Sequence, residues 1–216
     1  MKKQAQVLGF LALALAAGGA AAQSATPPAG WYGGLELGRA HLGASGQDID
    51  GAFASQGITG TAGIARNRTA WGLSLGYRAS PYWGLEAGYE DFGRFNYSDA
   101  TTAPAADTID GKYRAHAWSF AGLGYVPIGA NWSLYGKAGL TRTRAELDAA
   151  SQTGATAPSG AAASRTGLLF GAGVNYDFSR SLFAKVGWDR YTRVGDAAST
   201  GRGDVDVVGL GIGFRF

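Results

Sequence analysis

From residue 31 onward, bulky apolar residues alternate with glycine or polar residues in one short segment after another. The last segment is the clearest. Val208, Leu210, Ile212, Phe214 and Phe216 fall on one face, and Gly209, Gly211, Gly213 and Arg215 on the other. Trp71, Leu73, Leu75 and Tyr77 oppose Gly72, Ser74, Gly76 and Arg78 in the same way. Leu85, Ala87 and Tyr89 oppose Gly84, Glu86, Gly88 and Glu90. A repeat of two is the strand period, because successive side chains point to opposite faces of a sheet. No window carries the 3.6-residue stripe of an amphipathic helix. The pattern predicts eight strands, near 31–42, 69–79, 82–96, 113–126, 132–146, 166–178, 182–192 and 205–216. Their connections alternate in length: tight at 79–82, 127–131 and 178–181, long at 43–68, 97–112, 147–165 and 193–204.

The second face selects the architecture. A soluble sandwich shows water a fully polar face, and glycine is depleted from its strands because it packs nothing and loses entropy on ordering. Here glycine is interleaved with a few long charged residues, which suits the crowded interior of a narrow barrel. Apolar outside and polar inside is the pattern of a transmembrane β-barrel, whose closure pairs every backbone group in lipid. The prediction is therefore an all-β, eight-stranded antiparallel up-and-down transmembrane β-barrel over 31–216. Four long loops and three short turns put both termini at the short-turn rim. Aromatics gather there (Trp31, Tyr82, Trp83, Trp132, Phe183, Phe216) and at the opposite rim (Trp71, Tyr89, Phe95, Trp118, Trp188, Tyr191), as two interface girdles require.

Composition narrows the alternatives. The chain has 36 glycines in 216 residues without a Gly-X-Y period, 6 prolines and no cysteine. That excludes a collagen, a disulfide framework, a cysteine metal site and a thiol nucleophile. Residues 1–22 read as a cleaved secretory signal: Lys2 and Lys3, an apolar stretch from Val7 to Ala17, and Ala20-Ala21-Ala22 before a cut ahead of Gln23. An uncleaved anchor would need about 20 strongly apolar residues. Residues 23–30 form a short lead-in. Losing Lys2 and Lys3 lowers the formal charge from +3 to +1, so nothing argues for a nucleic-acid surface.

Three segments carry a family resemblance. Trp31-Tyr-Gly-Gly-Leu-Glu-Leu-Gly38 is similar to the first strand of the outer-membrane protein A family. Gly76-Tyr-Arg-Ala-Ser-Pro-Tyr-Trp-Gly-Leu-Glu-Ala-Gly-Tyr-Glu-Asp-Phe-Gly-Arg94 resembles its second turn and strand. Gly209-Leu-Gly-Ile-Gly-Phe-Arg-Phe216 resembles its last strand. The resemblance implies a bacterial outer-membrane barrel, exported by the general secretory pathway and set among outer-membrane lipid and lipopolysaccharide. It also implies insertion by the barrel-assembly machinery, which recognises the terminal aromatic, here Phe216. A chain ending at Phe216 is expected to lack the peptidoglycan-binding domain that often follows, and a monomer is expected.

The resemblance further implies a lumenal salt-bridge cluster. Glu86 stands where the family has its central glutamate, and Lys137 and Lys185 where it has inward arginines. Gly122 takes the place of an inward lysine and Asn175 that of a second glutamate, so a thinner cluster is expected. Glu86 in a narrow, low-dielectric lumen needs a cationic partner or must neutralise; Lys137, Lys185, Arg78 and Arg215 are the available cations, and Glu36 shares their face. The cluster either plugs the lumen with ion pairs or gates it.

Other motifs carry less. His41 and His116 are too few for a metal site, Asp48 and Asp50 lack calcium-loop spacing, and no cofactor is expected. Gly171-Ala-Gly173 and Gly209-Leu-Gly211 lack the spacing of a nucleotide loop. His116 and Ser119, three apart on a strand, point to opposite faces, so an enzyme is not expected. Arg202-Gly203-Asp204 falls in the last long loop and would be an integrin-type adhesive sequence if displayed. Two functions are in view: a structural or small ion-only pore, or a surface protein meeting host cells or phage through its four long loops.

Overall fold

The computed structural model describes residues 29–43, 50, 54, 57, 59–64, 67–103, 107–151, 153, 161–196 and 201–216. The expected signal 1–22, residues 23–28 of the lead-in, and Asp48 lie outside the described residues. The strands are β1 (Gly30–Leu42), β2 (Thr59–Ile64), β3 (Asn67–Arg78), β4 (Trp83–Ala103), β5 (Asp107–Pro127), β6 (Trp132–Ser151), β7 (Ala161–Asp177), β8 (Leu182–Asp196) and β9 (Gly201–Arg215).

All pairings are antiparallel. The order runs β2-β4-β3-β1-β9-β8-β7-β6-β5, and β4 pairs with β5 to close the ring. Both β2 and β3 run against β4, with Ile64 opposite Tyr97 and Trp71 opposite Asp91, so β2 prolongs β3. The result is a closed barrel of eight staves. Phe216 donates its amide to the Trp31 carbonyl at 3.0 Å, which places the start of β1 and the end of β9 at one rim.

The strands run well past the predicted limits. The segments 97–112 and 147–165, read as loops, are largely β4, β5, β6 and β7. At 21 residues, β4 and β5 are each about 70 Å long, far more than a tilted crossing of the apolar band needs. Pairing therefore continues above the membrane, where the apolar alternation that marks a strand in sequence has stopped.

Two of the three short turns are fixed by serine. The Ser80 hydroxyl accepts from the Tyr82 and Trp83 amides at 3.1 and 3.2 Å. Ser179 does the same for Ser181 and Leu182 at 3.3 and 3.0 Å. A side-chain acceptor two and three residues upstream is the local chemistry that favours such turns.

Outward faces are apolar: Leu35, Leu73, Leu85, Phe120, Leu140, Phe170, Leu210 and Ile212 are all exposed. Girdle aromatics pack on one another, Trp31 against Tyr77 and Trp132 against Tyr176 at one rim, Tyr89 against Trp71 and Trp118 at the other. Three predicted girdle residues point inward instead. Phe183 and Tyr191 share the parity of Lys185 on β8, and both are buried. Phe95 is turned in by a β-bulge between Asp91 and Arg94, where the register with β5 shifts by one. Gly93 takes φ +80 at this bulge and donates its amide to Asp91 Oδ1 at 2.7 Å. A second bulge lies between Tyr191 and Val194. An inserted residue reverses the facing of every later position on its strand, so Phe92 and Phe95, and likewise Tyr191 and Val194, all face the interior.

Candidate functional site

The lumen is filled in three layers. Nearest the short turns, Tyr32, Tyr125, Tyr135 and Phe183 are buried with Arg78 and Arg215. Arg215 donates to Asp177 Oδ1 at 2.6 Å, with its guanidinium 4.4 Å from the Phe183 ring centre. Arg78 donates to the carbonyls of Ser80 and Pro81 at 3.3 and 2.8 Å and lies 4.0 Å from the Tyr125 ring centre. Both arginines therefore brace the turn-side mouth and do not join the central charges.

The middle layer is charged, and glycine makes room for it. On β1, Glu36 stands beside Gly72 of β3 and Gly211 of β9. Lys185 of β8 lies over Gly211 and reaches Glu36 Oε2 at 2.8 Å. On the adjoining wall, Lys137 and Asp189 both lean over Gly171, their common neighbour on β7, and meet at 2.6 Å. Lys137 also stands 3.7 Å from Glu86, which accepts from the Tyr32 hydroxyl at 2.9 Å. Glu90 lies over Gly72. A Cβ at Gly72, Gly171 or Gly211 would collide with the charged side chain above it. The glycine face seen in sequence is thus a set of slots for long side chains from adjoining strands.

This arrangement unites Glu36, Glu86, Lys137 and Lys185, and adds Glu90 and Asp189. The expected thinning does not occur. Gly122 is not a missing lumenal charge: β5 turns Ala121 and Leu123 inward and Gly122 out, where nothing lies within 4 Å of its would-be Cβ. Asn175 is buried below the layer, but Asp189 supplies a further carboxylate. Among the described residues the layer holds Glu36, Glu86, Glu90 and Asp189 against Lys137 and Lys185, an acidic excess. Glu90 Oε1 and Asp189 Oδ1 are buried without hydrogen-bond partners among the described residues. Asp189 was legible, since it shares a strand face with Lys185 four residues earlier.

Above the charges, toward the long loops, the lumen is apolar. Leu42, Phe92, Phe95, Ile109, Tyr113, Leu147, Leu169, Tyr191, Val194, Val205 and Val207 form one buried cluster. Phe92 meets Tyr191 edge-on with ring centres 4.9 Å apart, and Phe95 meets Tyr113 at 6.3 Å. Two cavities along the lumen are of about 20 Å³ each, enough for about one water.

Arg202-Gly203-Asp204 lies within β9, not in a loop. Gly203 pairs with Val194 and Arg202 with Gly195. Asp204 holds the adjoining bulge: its Oδ1 accepts from the Arg193 amide at 3.2 Å and its carbonyl from the Gly43 amide at 2.7 Å. Its carboxylate is thus engaged in the fold. His116 faces outward and Ser119 inward, so the pair weighed for catalysis does not meet. His41 is bonded to Asn67 at 2.8 Å.

Comparison with known proteins agrees with this geometry. A family model described as the OmpA-like transmembrane domain matches residues 27–216. Outer membrane protein A of Shigella flexneri is 32% identical over 222 aligned positions, and that of Salmonella typhi 30%; each alignment covers 100% of this chain and 56% of the relative. The chain thus spans about half the length of these relatives. Among solved structures, the outer membrane protein OprG from Pseudomonas aeruginosa superposes with a TM-score of 0.59 at 16% identity, covering 88% of this chain and 98% of that one. Neisserial surface protein A gives 0.56 at 14%, covering 86% and 97%. At such identities the likeness is one of fold.

Proposed function

Because the chain belongs to the OmpA-like transmembrane domain family of bacterial outer-membrane barrels, we propose that it acts as a closed structural barrel that carries its long-loop rim at the cell surface. The supporting observation is the apolar layer around Phe92 and Phe95, which stacks on the charged layer and fills the lumen on the long-loop side. Ions crossing such a lumen would be stripped of water with only a few hydroxyl groups in exchange, which is costly. Between the two readings of the charge cluster, this favours a plug of ion pairs over a gate. The small-pore reading has a direct test. Proteoliposomes holding the protein should retain potassium as long as protein-free vesicles do, and fast efflux would establish the pore instead.

A surface-interaction role through the long loops is favoured by one further observation, the continuation of β4, β5 and β6 far beyond the apolar band. These hairpins hold a paired, rigid platform away from the membrane. Shortening them by deletion from 97–103 and 107–112 should abolish adhesion of a displaying strain; adhesion that survives the deletion rejects this role. Export by the general secretory pathway, recognition of the exposed Phe216 by the assembly machinery, a monomeric state and contact with lipopolysaccharide belong to the same proposal.

A further inference from the structure

The outward strand positions carry their charge at one rim only. On the short-turn half, the outward strand positions are Trp, Tyr, Leu, Val, Phe, Ile, Ala and Gly. Beyond the opposite girdle they turn charged, with arginines set among fewer carboxylates. The densest group lies on β5 and β6. Arg142 stands opposite Trp118, Arg144 opposite His116, and Arg114 opposite Glu146. Arg142 and Arg144 lie on one face of β6, about 7 Å apart, and both are exposed. Arg144 shares Glu146 at 2.8 Å and Arg114 shares Asp148 at 3.7 Å. Arg142, among the described residues, has the Thr166 hydroxyl at 3.3 Å and no carboxylate. The group retains positive charge beside Trp118 and one step above it.

Across the barrel the same elements are arranged to opposite effect. Arg190 donates twice to Asp206, at 2.8 and 2.9 Å, and the Trp188 indole donates to the same carboxylate at 3.0 Å. That arginine is already satisfied by a bidentate partner. The contrast isolates Arg142 and Arg144 as guanidinium forks without a bidentate partner among the described residues, at the depth where lipid headgroups begin. Guanidinium forks match phosphate oxygens, and tryptophan anchors the boundary between headgroup and acyl chain.

From this juxtaposition we infer that Arg142, Arg144 and Trp118 form a binding site for a phosphorylated glycolipid headgroup of the outer leaflet. At the short-turn rim the described residues offer one exposed cation, the turn residue Arg180, and none on an outward strand position. This asymmetry favours an outer-leaflet occupant, since a phospholipid phosphate common to both leaflets would call for comparable arginine clusters at both rims. The inference rests on the outer-membrane reading, with the long loops outward.

The test uses the full barrel in phosphatidylcholine nanodiscs doped with bisphosphorylated lipid A, dephosphorylated lipid A or phosphatidylglycerol, with retained lipid read by native mass spectrometry. The wild type should retain bisphosphorylated lipid A above the other two. Arg142→Gln with Arg144→Gln should lower that retention about thirtyfold, while Arg190→Gln leaves it unchanged. Equal retention by the double variant overturns the site, as does an equal loss in Arg190→Gln or equal retention of phosphatidylglycerol. Heat-modifiable gel migration verifies that each variant is folded. Absence of the protein from the outer-membrane fraction would refute the underlying reading separately.

Discussion

Lys185 reaches over Gly211 to bring its ammonium 2.8 Å from the Glu36 carboxylate. The contact joins β8 to β1 across the intervening β9, so it fastens two staves that share no backbone hydrogen bonds. It needs a glycine beneath it, and Gly211 is the residue at that place. Lys137 and Asp189 repeat the device over Gly171, fastening β6 to β8.

Glycine position should therefore decide tolerance. Gly171→Leu should block folding or cost several kcal/mol, because its Cβ would stand 2.9 Å from Lys137 Cε and 3.0 Å from Lys137 Cγ. Gly122→Leu, on the open lipid face, should be neutral or stabilising. Unfolding by urea in detergent, followed by gel migration, reads both. Equal damage from the two would contradict a lumen built on glycine slots.

Breaking one partner of a buried pair leaves the other uncompensated. Lys185→Met should destabilise by about 3–5 kcal/mol, and Glu36→Gln combined with Lys185→Met by clearly less than the single lysine change. The double-mutant cycle checks this. Additive losses would mean that Glu36 and Lys185 are solvated independently.

Glu90 should behave in the opposite way. It adds a carboxylate to a layer already rich in acid, and its Oε1 has no partner among the described residues. Glu90→Gln should leave stability unchanged or raise it by about 1 kcal/mol. A loss comparable to that of Lys185→Met would show that Glu90 is a paired anion.

Bulge residues should report backbone strain. Arg193 adopts φ 58, so Arg193→Gly should stabilise slightly, by up to about 1 kcal/mol. Gly93→Ala should cost about 1–3 kcal/mol, because φ is +80 and a Cβ would stand 2.6 Å from the Thr69 carbonyl oxygen. The same unfolding series measures both.

The bulges after Asp91 and Tyr191 also mark where the sequence pattern ceases to be informative. A strict period of two places Glu36, Glu86, Lys137 and Lys185 on one face, because each sits within an unbroken run. It cannot foresee that Phe95 turns inward, since one inserted residue leaves the composition unchanged while reversing the face. The central charges follow from parity and resemblance together. Gly122 shows the risk of resemblance alone: parity with the outward Trp118 and Phe120 already places it toward lipid. The extended upper hairpins are hidden for a different reason. Above the membrane both faces of a strand lose the apolar contrast that identifies it, while backbone pairing persists.

Closure of the lumen by Phe92 and Phe95 above a layer of ion pairs is the central claim. Single-channel recording in planar bilayers, comparing the wild type with a Phe92→Ala and Phe95→Ala double variant, tests it most directly. The wild type should be silent, and the double variant should show at most small ion-sized steps, because the charged layer remains below. Steps of the same size from both proteins would contradict a closed barrel.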